Sequence, residues 1–299
     1  MELTASSFLV FVAIYILLSW AYYLPYRSGQ IYVAFVVTML MGAYSSAYLA
    51  RDMGWPFPLA FLTGVGIGAL SSYVMGLALA RLRILQVNVA TLALIFIAQT
   101  VVRNIDFLGG TVGMFHIPRV TYLLAFAWVV VVITGVFIYR LEHSRLGRAL
   151  EVININEGLA SSLGIDIRKL RLFIQTCSGI LGAIAGVIYS FAINAIQPTT
   201  FGFGLLLSII CFVFIGGTTS LWGVVVFVPI LWSIGIFLPP AIAAWKYCIY
   251  GIMLVAILTL RPQGAIDRPV LRVLSLQSRA WLRRLGVVRT IKEPRKLDK

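Results

Sequence analysis

The sequence predicts an all-α integral membrane protein, a polytopic bundle of about nine transmembrane helices (between about eight and ten) with one short amphipathic helix on the cytoplasmic side. Of 299 residues, 61% are hydrophobic and 11% are charged, whereas a soluble domain carries about a quarter charged residues. The mean hydropathy is +0.97. Apolar runs recur along the chain, and each is bounded by charged residues or by Gly and Pro. A water-soluble enzyme is therefore excluded.

The apolar runs are the candidate membrane spans, because a helix needs about 20 apolar residues to cross a bilayer. The last few runs are shorter than a full crossing, which suits tilted or re-entrant pieces. The nine runs fall at 6–26, 31–50, 57–80, 84–102, 120–139, 172–192, 203–219, 222–238 and 244–260.

The distribution of Lys and Arg sets the predicted orientation, since basic loops stay in the cytoplasm. With 140–171 and the C-terminal tail inside, 20 basic residues are cytoplasmic and only four are outside, namely Arg51, Arg103, Arg119 and Lys246. The prediction is an outward N-terminus and an inward C-terminus. The first run has no basic start and is too long for a signal peptide, so we expect a retained helix.

The chain divides into a predicted transmembrane domain, 1–266, and a basic cytoplasmic tail, 267–299. From Arg261 to the last residue there are 11 basic and 3 acidic residues. Because the tail directly follows the last apolar run, retention inside and contact with anionic membrane lipid explain its charge better than nucleic acid does.

The sequence lacks the usual motifs of enzymes and of self-powered pumps. The two histidines, His116 and His143, are assigned to opposite sides of the membrane, and no metal-ligand or nucleophile motif accompanies them. The runs hold no acidic residue for a coupling ion, and there is no phosphate-binding loop. We expect no enzyme activity, no metal and no cofactor bound by this chain. Energy for uphill transport would come from a separate ATP-hydrolysing subunit.

Residues 140–171 form the one long polar insertion before the tail. Within it, 148–165 predicts a single amphipathic helix in which Leu150, Ile153, Leu159 and Leu163 share an apolar side. Gly164 is expected to end this helix. So short a helix needs either a groove on a partner or the lipid headgroup layer to cover its apolar side.

Several motifs together carry a resemblance to a known family. Gly147-Arg148-Ala-Leu followed by Glu157-x-x-Ala160-x-x-x-Gly164-Ile165 resembles the coupling-helix signature of LivM-type branched-chain amino-acid permeases of bacterial ABC importers. The resemblance covers roughly residues 20–266. The further matching stretches are Gly42-Ala43-Tyr44, Arg81-Leu-Arg83, Thr91-Leu92-Ala93, Gly109-Gly110-Thr-Val-Gly113, Ser178 to Gly186, Phe201-Gly202-Phe203, Ile215-Gly216-Gly217-Thr-Thr-Ser220-Leu221-Trp222-Gly223 and Arg261-Pro262-Gln263-Gly264.

The resemblance implies a subunit of the bacterial inner membrane that pairs with a second homologous permease. It also implies two cytoplasmic ATPase subunits, which bind the ATP and Mg²⁺, and a periplasmic substrate-binding protein. Glu157, Ala160 and Gly164 would sit in the ATPase groove, with Leu150 and Ile153 on the same helix. The expected cargo is branched-chain amino acids or related small polar organic solutes.

The fourth run departs from the family pattern along the expected substrate path, for which Asn88, Thr91, Phe96 and Gln99 are the candidates. Phe96 stands where the family usually has Glu, and Gln99 where Arg is usual. A path without those charges suits a zwitterion less well. An amide, a urea-like compound, an aromatic compound or a short-chain acid is therefore a possible cargo as well. Alternatively, these positions only pack, and the partner permease lines the path.

Two other functions stay open on the sequence. A gradient-driven secondary transporter or channel for a small solute would need a membrane-embedded acid or an internal duplication, and neither is visible. A structural or assembly subunit fits the composition but leaves residues 140–171 unexplained.

Overall fold

The computed structural model describes residues 5–80, 82, 84–218, 220–237 and 246–260. Its architecture is helical, with two short 3-10 turns, Asp106–Leu108 and Pro198–Phe201. The helices in chain order are α1 (Ala5–Tyr26), α2 (Phe35–Arg51), α3 (Phe57–Leu79), α4 (Ile84–Arg103), α5 (Leu123–His143), α6 (Arg145–Ile155), α7 (Glu157–Ser162), α8 (Ile167–Ile193), α9 (Phe203–Gly216), α10 (Leu221–Phe237) and α11 (Lys246–Leu260).

Each of the nine predicted apolar runs overlaps one of these helices, and several of the helices extend beyond the run, as α5 and α8 do. Five helices in the described part of the chain, α1, α3, α4, α5 and α8, are long and apolar enough to cross a bilayer. The others are shorter, with 17 residues in α2 and in α10, 15 in α11 and 14 in α9. The all-α class is therefore confirmed in outline, and the number of crossings stays a prediction.

Helix α8 forms the centre of one half of the bundle, packing against α1, α2 and α3. Small residues make this possible: a Cβ built on Gly42 would lie 2.7 Å from the Ala183 carbonyl oxygen, and one on Gly186 would overlap the Met39 carbonyl. Backbones approach this closely only where side chains are small. Small residues of α8 and α2 thus let the two helices pack closely, whereas Gly66 of α3 meets open space.

Helix α1 joins this half to the C-terminal half. It packs against α8 and α5 and also against α9 and α10, and α11 packs on α9. Of the five long helices it is the most buried, while α3, α4 and α5 leave most of their surface uncovered. Those three helices therefore form the periphery of the chain.

A short strand pair closes the end of the bundle where α8 finishes. β1 (Met114–Phe115) pairs antiparallel with β2 (Ala195–Ile196), and Met114 is opposite Ile196. The Asn194 side-chain amide donates to the Ile117 carbonyl oxygen at 3.1 Å. These contacts tie the α4–α5 connection to the α8–α9 connection, an element that the sequence did not predict.

Some predictions lie outside the described residues. They are the basic tail 267–299, the domain boundary at residue 266, and the placement of Arg81 and Arg83.

Candidate functional site

Residues 140–171 lie at the end of the bundle where α1 finishes and α8 begins. Between the end of α5 and the start of α8 they fold as two short helices. The prediction of one helix over 148–165 is wrong in this respect. α6 spans Arg145–Ile155, α7 spans Glu157–Ser162, and Asn156 separates them in an extended conformation. Asn156 breaks the helix because its side chain caps α7, accepting hydrogen bonds from the amides of Gly158 at 2.8 Å and Leu159 at 3.2 Å.

Polar caps fix the other ends of these helices. The Ser144 hydroxyl accepts from the amide of Leu146 at 3.1 Å and so begins α6. Asp166 accepts from the Lys169 amide at 3.1 Å, which starts α8 earlier than the predicted residue 172. The backbone and side-chain hydrogen bonds from Lys169 lower the pKa of Asp166. Gly164 has φ +75°, which suits its predicted place at the end of the segment.

The apolar residues of the segment face in two directions, which corrects the predicted common apolar side. Leu150 and Ile153 are buried against the rest of the chain, each 2% exposed, and Ala160 is fully buried. Leu159 and Leu163 point outward and are mostly exposed. Ile155 joins them, at 80% exposed. We call Ile155, Leu159 and Leu163 the apolar knob.

An ion pair fastens α6 to the end of α1. Arg27, directly after α1, lies 2.5 Å from the Glu151 carboxylate, with the two side chains 12% and 40% exposed. One turn earlier in α1, the Tyr23 hydroxyl donates to Glu142 at the end of α5. Burial alone would lower the pKa of Arg27, but Tyr23, Glu142 and Glu151 outweigh it, so the pKa lies above its ordinary value.

A second ion pair fastens α7 to α8. The Arg171 guanidinium lies 2.7 Å from the Glu157 carboxylate, and the Arg171 side chain is largely buried. Glu157 is therefore paired within its own chain. The position that the resemblance assigns to the ATPase groove is thus also an internal contact of the segment.

A cavity of about 770 Å³ lies beside this second pair. Its wall includes Leu82 from the α3–α4 connection, Glu157 and Arg171. Deeper in the wall, the Gln175 side chain donates to the Gln30 side chain at 3.0 Å, and both are buried. The cavity opens at the same end of the bundle as the 140–171 segment.

The four candidate path residues of α4 do not share one face. Thr91 is fully buried and donates to the Asn88 carbonyl, and Gln99 is buried and donates to the Pro198 carbonyl oxygen at 3.1 Å. The Asn88 amide, in the orientation that satisfies its hydrogen bonds, donates to the Ile31 carbonyl at 3.0 Å. Phe96 points away from the chain and is half exposed.

The contacts of Tyr23, Arg27 and Arg171 are not among the contacts predicted from the sequence. A signal for them existed, because Arg27 and the acidic residues of the 140–171 segment were all predicted on the cytoplasmic side. Opposite charges confined to one face of a bundle are candidates for pairing. Which acid meets which base depends on helix rotation, and the periodicity does not specify it.

Comparison with known proteins identifies the family. The family described as branched-chain amino acid transport system, permease component, matches residues 4–258. The ribose import permease protein RbsC of Escherichia coli K12 is 27% identical over 175 residues, covering 55% of this chain and 54% of that protein. The high-affinity branched-chain amino acid transport system permease protein LivM of Salmonella typhimurium is 24% identical over 292 residues, covering 84% of this chain and 68% of that protein.

A third relative also carries the LivM name. The probable branched-chain amino acid transport permease protein LivM of Methanocaldococcus jannaschii is 26% identical over 200 residues, covering 56% of each chain. The alignments with this protein and with RbsC therefore span about half the length of each relative. No solved structure matches the chain. With a match over nearly its whole length and a bundle of apolar helices, this chain belongs to the family of permease components of branched-chain amino acid transport systems.

Proposed function

We propose that this chain is a membrane-spanning permease subunit of an ABC importer, which moves a small polar organic solute inward using ATP hydrolysed by separate subunits. The observation that carries the proposal is the apolar knob. In a family of permease components, exposed apolar residues on a polar segment that is fastened to the bundle are suited to receive a motor protein.

The proposed docking surface is the outward side of α6 and α7. The apolar knob (Ile155, Leu159 and Leu163) would bind in a groove on a cytoplasmic ATPase subunit, because a short helix cannot bury such exposed apolar side chains by itself. The buried residues of the segment would hold it against the rest of the bundle; these are Leu150, Ile153 and Ala160. Glu157 would hold α7 in place through Arg171, and Gly164 would supply the turn into α8.

The proposed assembly has a second, homologous permease subunit, two ATPase subunits and a periplasmic substrate-binding protein. The uncovered sides of α3, α4 and α5 offer surface for the second permease and for membrane lipid. ATP and Mg²⁺ would be bound by the ATPase subunits, and this chain would bind no cofactor, metal or nucleic acid. The proposed location is the bacterial inner membrane, with residues 140–171 and the C-terminus in the cytoplasm.

The proposed cargo class is branched-chain amino acids or related small polar solutes, and sugars belong among the candidates. Relatives of this chain are named for ribose, galactofuranose and branched-chain amino acids. Phe96, which faces out of the chain at half exposure, is the candidate of α4 best placed to meet a solute between two permeases. Thr91 and Gln99, which are buried, would hold α4 in position without contacting the solute.

A gradient-driven transporter or channel is the alternative, and the positions of the charges favour it less. Helices α1 and α3 hold no charged residue, and α2 and α4 hold one each, at their last residues Arg51 and Arg103. An ion-coupled carrier usually binds its ion with an acidic residue at mid-membrane depth.

Reconstitution into liposomes distinguishes the two functions. The chain would be purified together with its ATPase subunits, second permease and binding protein, and uptake of labelled leucine and ribose would be measured. We expect uptake only when ATP and all subunits are present. Uptake by the chain alone under a proton or sodium gradient would refute the proposal and support the alternative.

A further inference from the structure

The ion pair between Arg27 and Glu151 occupies a special place in the bundle. The 140–171 segment is connected covalently only to α5 and α8. Helix α8 packs against α1, α2 and α3, whereas α9 and α10 pack against α1. Both α5 and α8 pack against α1, and α1 in turn packs against α9 and α10, so α1 is a route by which movement of the segment reaches the C-terminal half.

Contacts at the end of α1 form such a route. Arg27 pairs with Glu151 of α6, and the Tyr23 hydroxyl donates a hydrogen bond to Glu142 at the end of α5. Gly29, at φ +75°, brings the α1–α2 connection against α6: a Cβ built there would lie 2.9 Å from the Asn154 side-chain oxygen. We call Tyr23, Arg27, Glu142 and Glu151 the α1 clamp.

The chemistry of the clamp makes it resistant to separation. The Arg27 side chain is 12% exposed, so pulling Glu151 away would leave a largely buried guanidinium with only part of its compensation. Because Arg27 is largely buried while Glu151 is partly exposed, separating this pair should cost more than separating a fully exposed one. Segment and helix end should therefore move together.

We propose that Arg27 and Glu151 are positioning residues that transmit movement of the 140–171 segment to α1, and through α1 to α9 and α10. The inference rests on the proposed function, because it needs ATPase subunits to move the segment. The ligand-driven movement is then shared by both halves of the bundle, as expected for packed elements that shift as rigid bodies.

Charge reversal in the reconstituted complex tests the inference. R27E and E151R would each be compared with the double variant R27E/E151R, which restores an ion pair in the opposite sense. The measured quantities are the ATP hydrolysis rate, the uptake rate and the solute moved per ATP. The control is R51E, which removes the exposed pair of Arg51 with Asp52 at the opposite end of α2.

We expect each single reversal to lower the solute moved per ATP by at least about fivefold, the lower range of coupling effects between sites. The amount of chain in the membrane and its binding of the ATPase should stay unchanged. The double variant should recover to within about twofold of the original protein, and R51E should have no effect.

The outcomes separate this inference from the proposed function. If the original complex shows no ATP-driven uptake, the proposed function fails. If the original complex works and both single reversals keep the full ratio of solute to ATP, the clamp is not a transmission contact. If the singles lose uptake and the double variant does not recover, or if they lose it only through reduced insertion, the role is structural and the inference is wrong.

Discussion

Removing the apolar knob should weaken binding of the ATPase while leaving the bundle intact. The perturbation is the triple replacement of Ile155, Leu159 and Leu163 by Ser. Their exposed fractions are 80%, 51% and 63%, so together they present about two fully exposed side chains. Burying each such side chain stabilises a complex by roughly 2 kcal/mol, or about 4 kcal/mol in all. Since every 1.4 kcal/mol is about tenfold, full burial corresponds to a loss of up to about 1,000-fold in affinity.

The assay is the equilibrium affinity of the purified ATPase subunit for the permease complex in detergent. We expect the triple variant to bind about 100- to 1,000-fold more weakly, with an unchanged melting temperature because the replaced side chains are exposed. The matched control replaces Phe107 and Val112 by Ser; both are 65% exposed and lie at the other end of the bundle. An affinity within about threefold of the original protein for the triple variant would refute the assignment of the docking surface.

Three further predictions concern the bundle and its caps. Gly186→Val should lower the free energy of unfolding by about 1–3 kcal/mol, because the new side chain would press on α2. Gly66→Val, whose side chain would enter open space, should leave it unchanged. Equal melting temperatures for the two variants would contradict this packing. Gln99→Leu should lower the free energy of unfolding by about 1–3 kcal/mol, because the Pro198 carbonyl oxygen loses its donor. The measurement is the melting temperature, which should fall. An unchanged melting temperature would mean that water replaces the hydrogen bond. The pKa of Asp166 is lowered in the folded chain, so its stabilising contribution is present above its ordinary pKa, roughly 4, and is lost as pH falls through the lowered value. Hydrogen exchange at the start of α8 should therefore speed up in acid, and should do so less in Asp166→Asn, which caps without titrating; the same acid response in both would exclude this carboxyl as the cause.

The positions of most helices could be predicted from the sequence, because an apolar chain in lipid has few alternatives to the α-helix. Without water, backbone amides and carbonyls must bond within a helix, so apolar runs between charges locate helices closely. The segment from Phe57 to Leu79, predicted at 57–80, is one case. The extent of α8 was less predictable, since its first turn is polar and is started by a single cap, Asp166.

The details of the 140–171 segment could not be predicted from periodicity. Leu150, Ile153, Leu159 and Leu163 fit one continuous helix, but Asn156 offers α7 a cap that a continuous helix would forgo. The break rotates α7 relative to α6 and sends the later leucines outward. The pairing of Glu157 with Arg171 could not be predicted from the sequence either, because it depends on how α7 packs against α8.

The central place of α1 has a consequence for how the protein is made. A ribosome delivers α1 to the membrane well before α8, α9 and α10, the helices that cover much of it in the finished bundle. Until they arrive, its aromatic and serine side chains must tolerate hydrocarbon. Its almost uniformly apolar surface allows α1 to remain in the lipid until then. Because α1 is covered by helices that are made later, assembly should be sensitive to truncation from the C-terminal side.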